Sequence, residues 1–478
     1  MFYGRKEELN ILEKCYSSDR FEFIVLYGRR RIGKTSLLME FASDHDVMYF
    51  TAQEQNDRGN LSDFAAAVTR YMDGEMSASI SFPDWKNAFN YITSNIHHRK
   101  TKPVIIIDEF SYLVRSNPSI KSILQSLIDH EWKEMKLMLI LCGSSVSIMK
   151  EEVLGYESPL FGRATNVISL KGFDYKGAAQ FFPSYSPEEK CIAYGILGGV
   201  PKYLTEFEQN KSIKENITDH IMADHSIMSE EPLALLRMET REPAVYNSIL
   251  EAIASGASHI NEIATKIGEE NSKCSKYLSV LQELDIVERV TPCGEKDSSR
   301  KSIYVINDNY FSFWYRFLFR NRDYYRMLGY EKAADEILSD ISDFMGSRYE
   351  EICTQYMIHL AKTGRLPFVP QNMGRYWGNN PRKRRQEEID ILALSKERDS
   401  AIFAECKFRN ERIDIGIYED LKRKAEEVFP TIENKYFYLF SKSGFTKVLQ
   451  KEASDRLMLC SVEDMYRDKL PTTEEMGR

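Results

Sequence analysis

Gly28-Arg29-Arg30-Arg31-Ile32-Gly33-Lys34-Thr35 fits the pattern G-x-x-x-x-G-K-[ST] at every required position. The chemistry such a stretch supports is capture of a polyphosphate. Backbone N–H groups of the loop surround the anion, and the positive end of a following helix, entered through Thr35 and Ser36, adds to the field. Lys34 reaches the terminal phosphates and Thr35 holds Mg²⁺.

A second constellation turns binding into hydrolysis. The run Val104-Ile105-Ile106-Ile107-Asp108-Glu109-Phe110 reads as a buried strand ending in two carboxylates. Delivered beside the phosphate loop, Asp108 holds Mg²⁺ through water and Glu109 polarises the attacking water. The strand 137–142 ends in Gly143-Ser144-Ser145, where Ser144 either faces the terminal phosphate or belongs to a small-residue turn. Arg163 either serves a neighbouring subunit's nucleotide as an arginine finger, a role worth about 10³ to 10⁵ in rate, or is a surface arginine ahead of the strand 166–170.

A third constellation lies near the C-terminus. Alternation in the run Ala401 to Lys407 puts Glu405 and Lys407 on one strand face, and pairing with Glu388 to Leu394 brings Asp390 beside them. Two carboxylates and a lysine suit a divalent metal and phosphodiester cleavage. The run Pro381-Arg382-Lys383-Arg384-Arg385 either guides a nucleic-acid backbone or is a solvated loop.

These residues need scaffolds to hold them. Phe23 to Tyr27 reads as the strand entering the phosphate loop, Thr35 to Phe41 as the helix leaving it, and Val47 to Ala52 as a further strand. Gly198-Gly199-Val200-Pro201 makes a rigid turn opening a helix. Three helical segments within 245–284 and a hairpin formed by 286–290 and 302–306 describe a winged helix. Lys273, Lys276, Arg300 and Lys301 could contact duplex phosphates, but with Glu269-Glu270 nearby a regulatory spacer is favoured. The aromatic segment Tyr310 to Phe317 is expected to pack between domains.

A chain of 478 residues suggests about three domains, drawn here at 1–235, 236–320 and 321–478. A net charge of -8 excludes a protein that coats nucleic acid through overall charge, so any such contact must be local. Eight cysteines without a C-x-x-C pair suggest neither zinc nor a disulfide framework, and a reducing cytoplasm is expected. No apolar run approaches a membrane span, so no membrane partner is expected.

The order of these motifs resembles the AAA+-like STAND NTPases, specifically the MNS clade of archaeal-type ATPases. Phe2-Tyr3-Gly4-Arg5 with Glu8-Leu9 is similar to that family's entry motif, placing Tyr3, Gly4 and Arg5 near the adenine. Pro159-Leu160-Phe161-Gly162-Arg163 resembles its arginine motif, and 198–203 its GxP lid motif, in which Pro201 approaches the nucleotide. The resemblance implies ATP with Mg²⁺, a parallel five-stranded sheet with a strand inserted between the two nucleotide motifs, a helical lid, and a homo-oligomer through Arg163.

Residues 340–460 resemble the PD-(D/E)xK nuclease superfamily. Glu350 sits where its first-helix glutamate does, Asp390 at its metal aspartate, and Glu405-Cys406-Lys407 at its E-x-K element, which implies Glu350, Asp390 and Glu405 as metal ligands. The expected fold class is α/β: a P-loop NTPase sheet with its lid, a winged helix, and a PD-(D/E)xK-like domain. The expected function is an ATP-hydrolysing switch controlling a nuclease-like domain directed at nucleic acid, DNA above RNA. The alternative is an ATP-regulated assembly factor whose C-terminal domain only binds.

Overall fold

In a strand covered by helices on both sides, neither face meets water, and the sequence runs apolar without alternation. Three such runs form the centre of the five-stranded sheet of the first unit, residues 1–172, between two partly exposed edge strands; residues 173–478 form a second unit. The computed structural model describes residues 2–74, 80–96, 99–380, 383 and 385–467. The strands are β1 (Glu22–Tyr27), β2 (Val47–Thr51), β3 (Val104–Asp108), β4 (Met138–Gly143) and β5 (Asn166–Ser169). All pair in parallel, in the order β2-β3-β4-β1-β5. The strand carrying Asp108 is therefore separated from the strand feeding the phosphate loop by β4.

The helices flanking this sheet take their limits from local chemistry. Asn56 caps the helix Asp57–Asp73 by accepting from the Gly59 N–H, and Gly74, at φ 88°, ends it. Two buried indoles fix the packing of that layer while satisfying their own N–H groups. Trp85 donates to Asp57 Oδ1 over 2.7 Å, and Trp132 donates to Thr93 Oγ1 over 2.8 Å.

In the second unit, the helix Pro187–Leu197 opens with a reciprocal Ser186/Glu189 capping box. Its apolar residues are buried against the helices Asn309–Phe313 and Ile341–Lys362. A helical segment belongs with whatever covers its apolar face, so 173–235 groups with the chain that follows it. The boundaries read from sequence at 235 and 320 do not coincide with this division at 172/173.

Helices Pro243–Ala254, Ile260–Ile267 and Asn271–Glu283 lead into an antiparallel hairpin, β6 (Val287–Val290) with β7 (Ile303–Ile306). The Tyr304 N–H donates to Ser258 O, tying the hairpin to the first interhelical link. Lys273 pairs with Glu269 and Lys301 with Glu295, so both basic groups have acidic partners within this segment. The aromatic segment is buried as packing: Tyr310 donates to Met228 O, and the Trp314 indole to Ser229 O over 2.9 Å.

The last sheet contains β8 (Asn372–Asn379), β9 (Gln386–Leu394), β10 (Ser400–Lys407), β11 (Asn434–Ser441) and β12 (Leu457–Ser461), ordered β12-β11-β10-β9-β8. β8, β9 and β10 are antiparallel neighbours, and β10, β11 and β12 are parallel. The helices Ile341–Lys362 and Ile415–Val428 pack on it. In the basic run, Lys383 pairs with Glu427 and Arg385 with Glu387, while 381, 382 and 384 lie outside the described residues. Among the described residues, no helix is long and apolar enough to cross a membrane.

Candidate nucleotide and carboxylate sites

The phosphate loop connects buried β1 to the helix Lys34–Ala42. Its turn requires left-handed backbone at Arg31, φ 70°, and Gly33, φ 88°. At Gly28 the demand is space, because a Cβ there would lie 2.4 Å from Leu170 O. Lys34 is 6% exposed, and its ammonium donates to Gly28 O over 2.8 Å and Arg29 O over 3.0 Å. Burial lowers its pKa, with Cys142, Glu109 and Asp108 pulling in the opposite direction. Thr35 and Ser36 are exposed at the first helical turn, where N–H groups have no intrahelical partner.

Asp108 is 2% exposed and sits at the end of β3. Its Oδ2 accepts from Thr35 Oγ1 over 3.1 Å and from Tyr49 Oη over 2.7 Å. A hydroxyl and a carboxylate oxygen converging in this way form a hard oxygen donor set that fits Mg²⁺. Glu109 takes left-handed backbone, φ 52°, as the N-cap of the helix Phe110–Ser116. Its Oε2 accepts from Ser144 Oγ over 2.6 Å and lies 3.4 Å from the Ser144 N–H. The structure thus brings Lys34, Thr35, Asp108, Glu109 and Ser144 to the strand ends on one side of the sheet.

Other expected site residues have different placements. Arg5, also left-handed at φ 59°, pairs with Glu8 and donates to Ile32 O over 3.2 Å and Lys171 O over 2.6 Å. It therefore braces the phosphate loop, next to Gly4 at φ 60° and half-buried Tyr3. Ile32 packs in the core, Arg29 is buried, and Arg30 donates to Tyr112 Oη over 2.7 Å. Arg163 is seated on its own chain, with two bonds to Asp129, at 2.8 and 2.7 Å, and others to Pro159 O and Phe161 O. Pro201 opens the helix Pro201–Leu204 in the second unit. Tyr49 escaped the sequence reading; its signal is a tyrosine two residues before Thr51, the register partner of Asp108.

In the C-terminal sheet, β9 and β10 bring the acidic residues together one step beyond the Ala404↔Ile391 pair. Asp390 Oδ2 accepts from the Cys406 N–H over 2.8 Å. Lys407 Nζ lies 2.5 Å from Glu405 Oε1 and 3.9 Å from Asp390 Oδ2. Glu350 leans to Arg375, at 3.9 Å. Burial, then Asp390, pushes the Glu350 carboxyl up; burial, then Glu405, does the same to Asp390. The expected metal trio of Glu350, Asp390 and Glu405 is not gathered as an ion-holding group: among the described residues, no three His, Cys, Asp or Glu side chains stand in that arrangement. Lys407 and Arg375 neutralise these carboxylates instead. Sequence reading also missed Lys424, 3.6 Å from Glu405 Oε2, whose only signal was its i,i+4 spacing from Asp420.

Residues 2–207 match the family model described as an ATPase domain predominantly from Archaea, and 314–432 match a domain of archaeal and bacterial proteins of unknown function. An uncharacterized Methanocaldococcus jannaschii protein, MJECL04, is 34% identical over 463 residues, covering 96% of this chain and 98% of that protein. An uncharacterized ATP-binding protein of Pyrococcus abyssi is 28% identical over 264 residues, 47% of this chain and 77% of its own length. The solved Walker-type ATPase of the same organism, PABY2304, superimposes with a TM-score of 0.51 at 19% identity, covering 66% of this chain and 96% of that one. Matched to MJECL04 over 96% of its own length and 98% of that protein's, and to the archaeal ATPase-domain model over 2–207, the chain belongs to the archaeal-type ATPase family.

Proposed function

We propose that the protein binds ATP with Mg²⁺ and hydrolyses it, acting as a molecular switch of the STAND type whose nucleotide state controls the C-terminal domain. The observation carrying this reading is the convergence of Thr35 and Asp108 beside Glu109, which Ser144 holds. Lys34 and the loop N–H groups orient the phosphates, Thr35 and Asp108 hold the cation, and Glu109 polarises water for in-line attack. Mg²⁺, when bound, supplies neutralisation of charge on the phosphate oxygens. The test compares purified wild type, Lys34→Ala and Glu109→Gln. Lys34→Ala should lose ATP binding, whereas Glu109→Gln should bind ATP and release phosphate about 10² to 10³ times more slowly. Equal turnover by wild type and Glu109→Gln would remove the hydrolytic assignment.

For the C-terminal domain, we propose direction toward nucleic acid, DNA above RNA, on a PD-(D/E)xK-like scaffold preceded by a winged helix. The strand order, and Asp390, Glu405 and Lys407 sharing one sheet face, support that reading. A specific observation favours the second reading, a domain that binds without cutting: Lys407 is engaged by Glu405, and the acidic trio is not assembled. No metal-dependent step is assigned there.

A further inference from the structure

The turn between β6 and β7 is docked on the C-terminal sheet. The Cys293 N–H donates to Arg375 O over 2.8 Å, and its thiol to Leu392 O over 3.1 Å. The Trp377 indole donates to Lys301 O over 3.2 Å, and Arg398 to Gly294 O over 3.1 Å. Between hairpin and sheet lies a cleft of about 470 Å³, bordered by Glu288, Arg289 and Asp297 on one side and by Glu350, Arg375 and Asp390 on the other. Arg375 joins the two halves, since its carbonyl receives the hairpin while its guanidinium donates to Glu388 over 3.1 Å and lies 3.9 Å from Glu350.

The hairpin makes this cleft hostile to a polyanion. Glu288 and Asp297 add carboxylates to a wall that already has Glu350 and Asp390, and Arg289 donates to its own turn at Asp297 O and Ser299 O. Among all the lining residues, carboxylates outnumber guanidinium groups. The attachment is also slight. β6 and β7 are mostly half-exposed or exposed, and Cys293 is a small, half-buried apolar anchor among polar contacts.

We propose that the docked β6–β7 hairpin is an autoinhibitory cap over the carboxylate cleft, and that it must lift before the C-terminal domain can engage a nucleic-acid strand. This rests on the nucleic-acid reading given above. Lifting withdraws two carboxylates, exposes Glu350 and Asp390, and uncovers Cys293. The other seven cysteines are buried, so alkylation of Cys293 reports the opening.

The test uses the full chain as wild type and as the Trp377→Phe/Arg398→Ala double variant, which removes two docking hydrogen bonds and leaves the carboxylates intact. Maleimide labelling of Cys293 is followed by peptide mass spectrometry, and binding of fluorescent single-stranded and duplex DNA by anisotropy. The variant should label about tenfold faster and bind DNA tighter by a similar factor. Added DNA should also accelerate labelling in wild type. Faster labelling with unchanged, measurable DNA affinity overturns the cap and leaves the nucleic-acid reading standing. Unchanged labelling in the variant also overturns the cap. Faster labelling without DNA binding by either protein overturns the nucleic-acid reading, and the proposal with it.

Discussion

Ser144 Oγ donates to Glu109 Oε2 over 2.6 Å, linking the end of β4 to the residue that follows β3. The carboxylate expected to polarise water is thereby aimed by the side chain that immediately follows the neighbouring strand. Ser144→Ala should lower ATP turnover about tenfold with ATP affinity unchanged, and Ser144→Thr should keep most of the rate. Phosphate release and calorimetric binding check this. A faster Ser144→Ala enzyme would assign the serine to restraint instead.

Arg5 spans three acceptors from different parts of the first unit while only 8% exposed. Arg5→Ala leaves buried carbonyls without their donor and should cost about 2 kcal/mol in urea unfolding, with weaker ATP binding. Arg5→Lys should fail to restore either, because a single ammonium does not reproduce the guanidinium fork.

Gly28→Ala places a methyl group against the backbone oxygen of Leu170, an atom that cannot swing aside as a side-chain tip can. Loop and β5 must separate, and the variant should lose about 1–3 kcal/mol of stability. Thermal unfolding with and without ATP separates that loss from any change in nucleotide affinity.

Burial alone would raise the Glu387 carboxyl, but hydrogen bonds from Arg423 and Arg385 outweigh it and hold it at about 2. An unfolded glutamate titrates near ~4.3. The folded value is the lower one, so its stabilisation is complete above the unfolded value and is lost as pH falls through the folded one. Wild type and Glu387→Gln should therefore differ on the order of 2–3 kcal/mol at neutral pH and converge toward about pH 2. Urea unfolding across that range checks the convergence.

Features that depend on contiguous residues were legible in the sequence. The phosphate loop lies within eight consecutive positions, and the carboxylates follow directly from an apolar strand, so composition and order sufficed. The three helices and hairpin at 243–306 announced themselves through local periodicity. What escaped depends on distant pairing. Arg5 meets Lys171, Tyr49 meets Asp108, and Cys293 meets Leu392, and nothing near any of these residues in sequence names its partner. The same holds for the boundary at 172/173, which was set by what covers the helix Pro187–Leu197. The Glu350, Asp390 and Glu405 pattern was legible as spacing, but the cations that engage it were not.

β4 separates β1 from β3, and Thr35, on the helix that follows the phosphate loop, meets Asp108 at 3.1 Å. The intervening strand finishes in Gly143 and continues as Ser144-Ser145, where Ser144 meets Glu109. Clearance at that strand end is thus a design limit of the catalytic side of the sheet. A Cβ at 143 would stand 2.5 Å from the Met149 sulfur, so a larger residue there would press on the segment that follows β4 while leaving every residue of the phosphate loop unchanged.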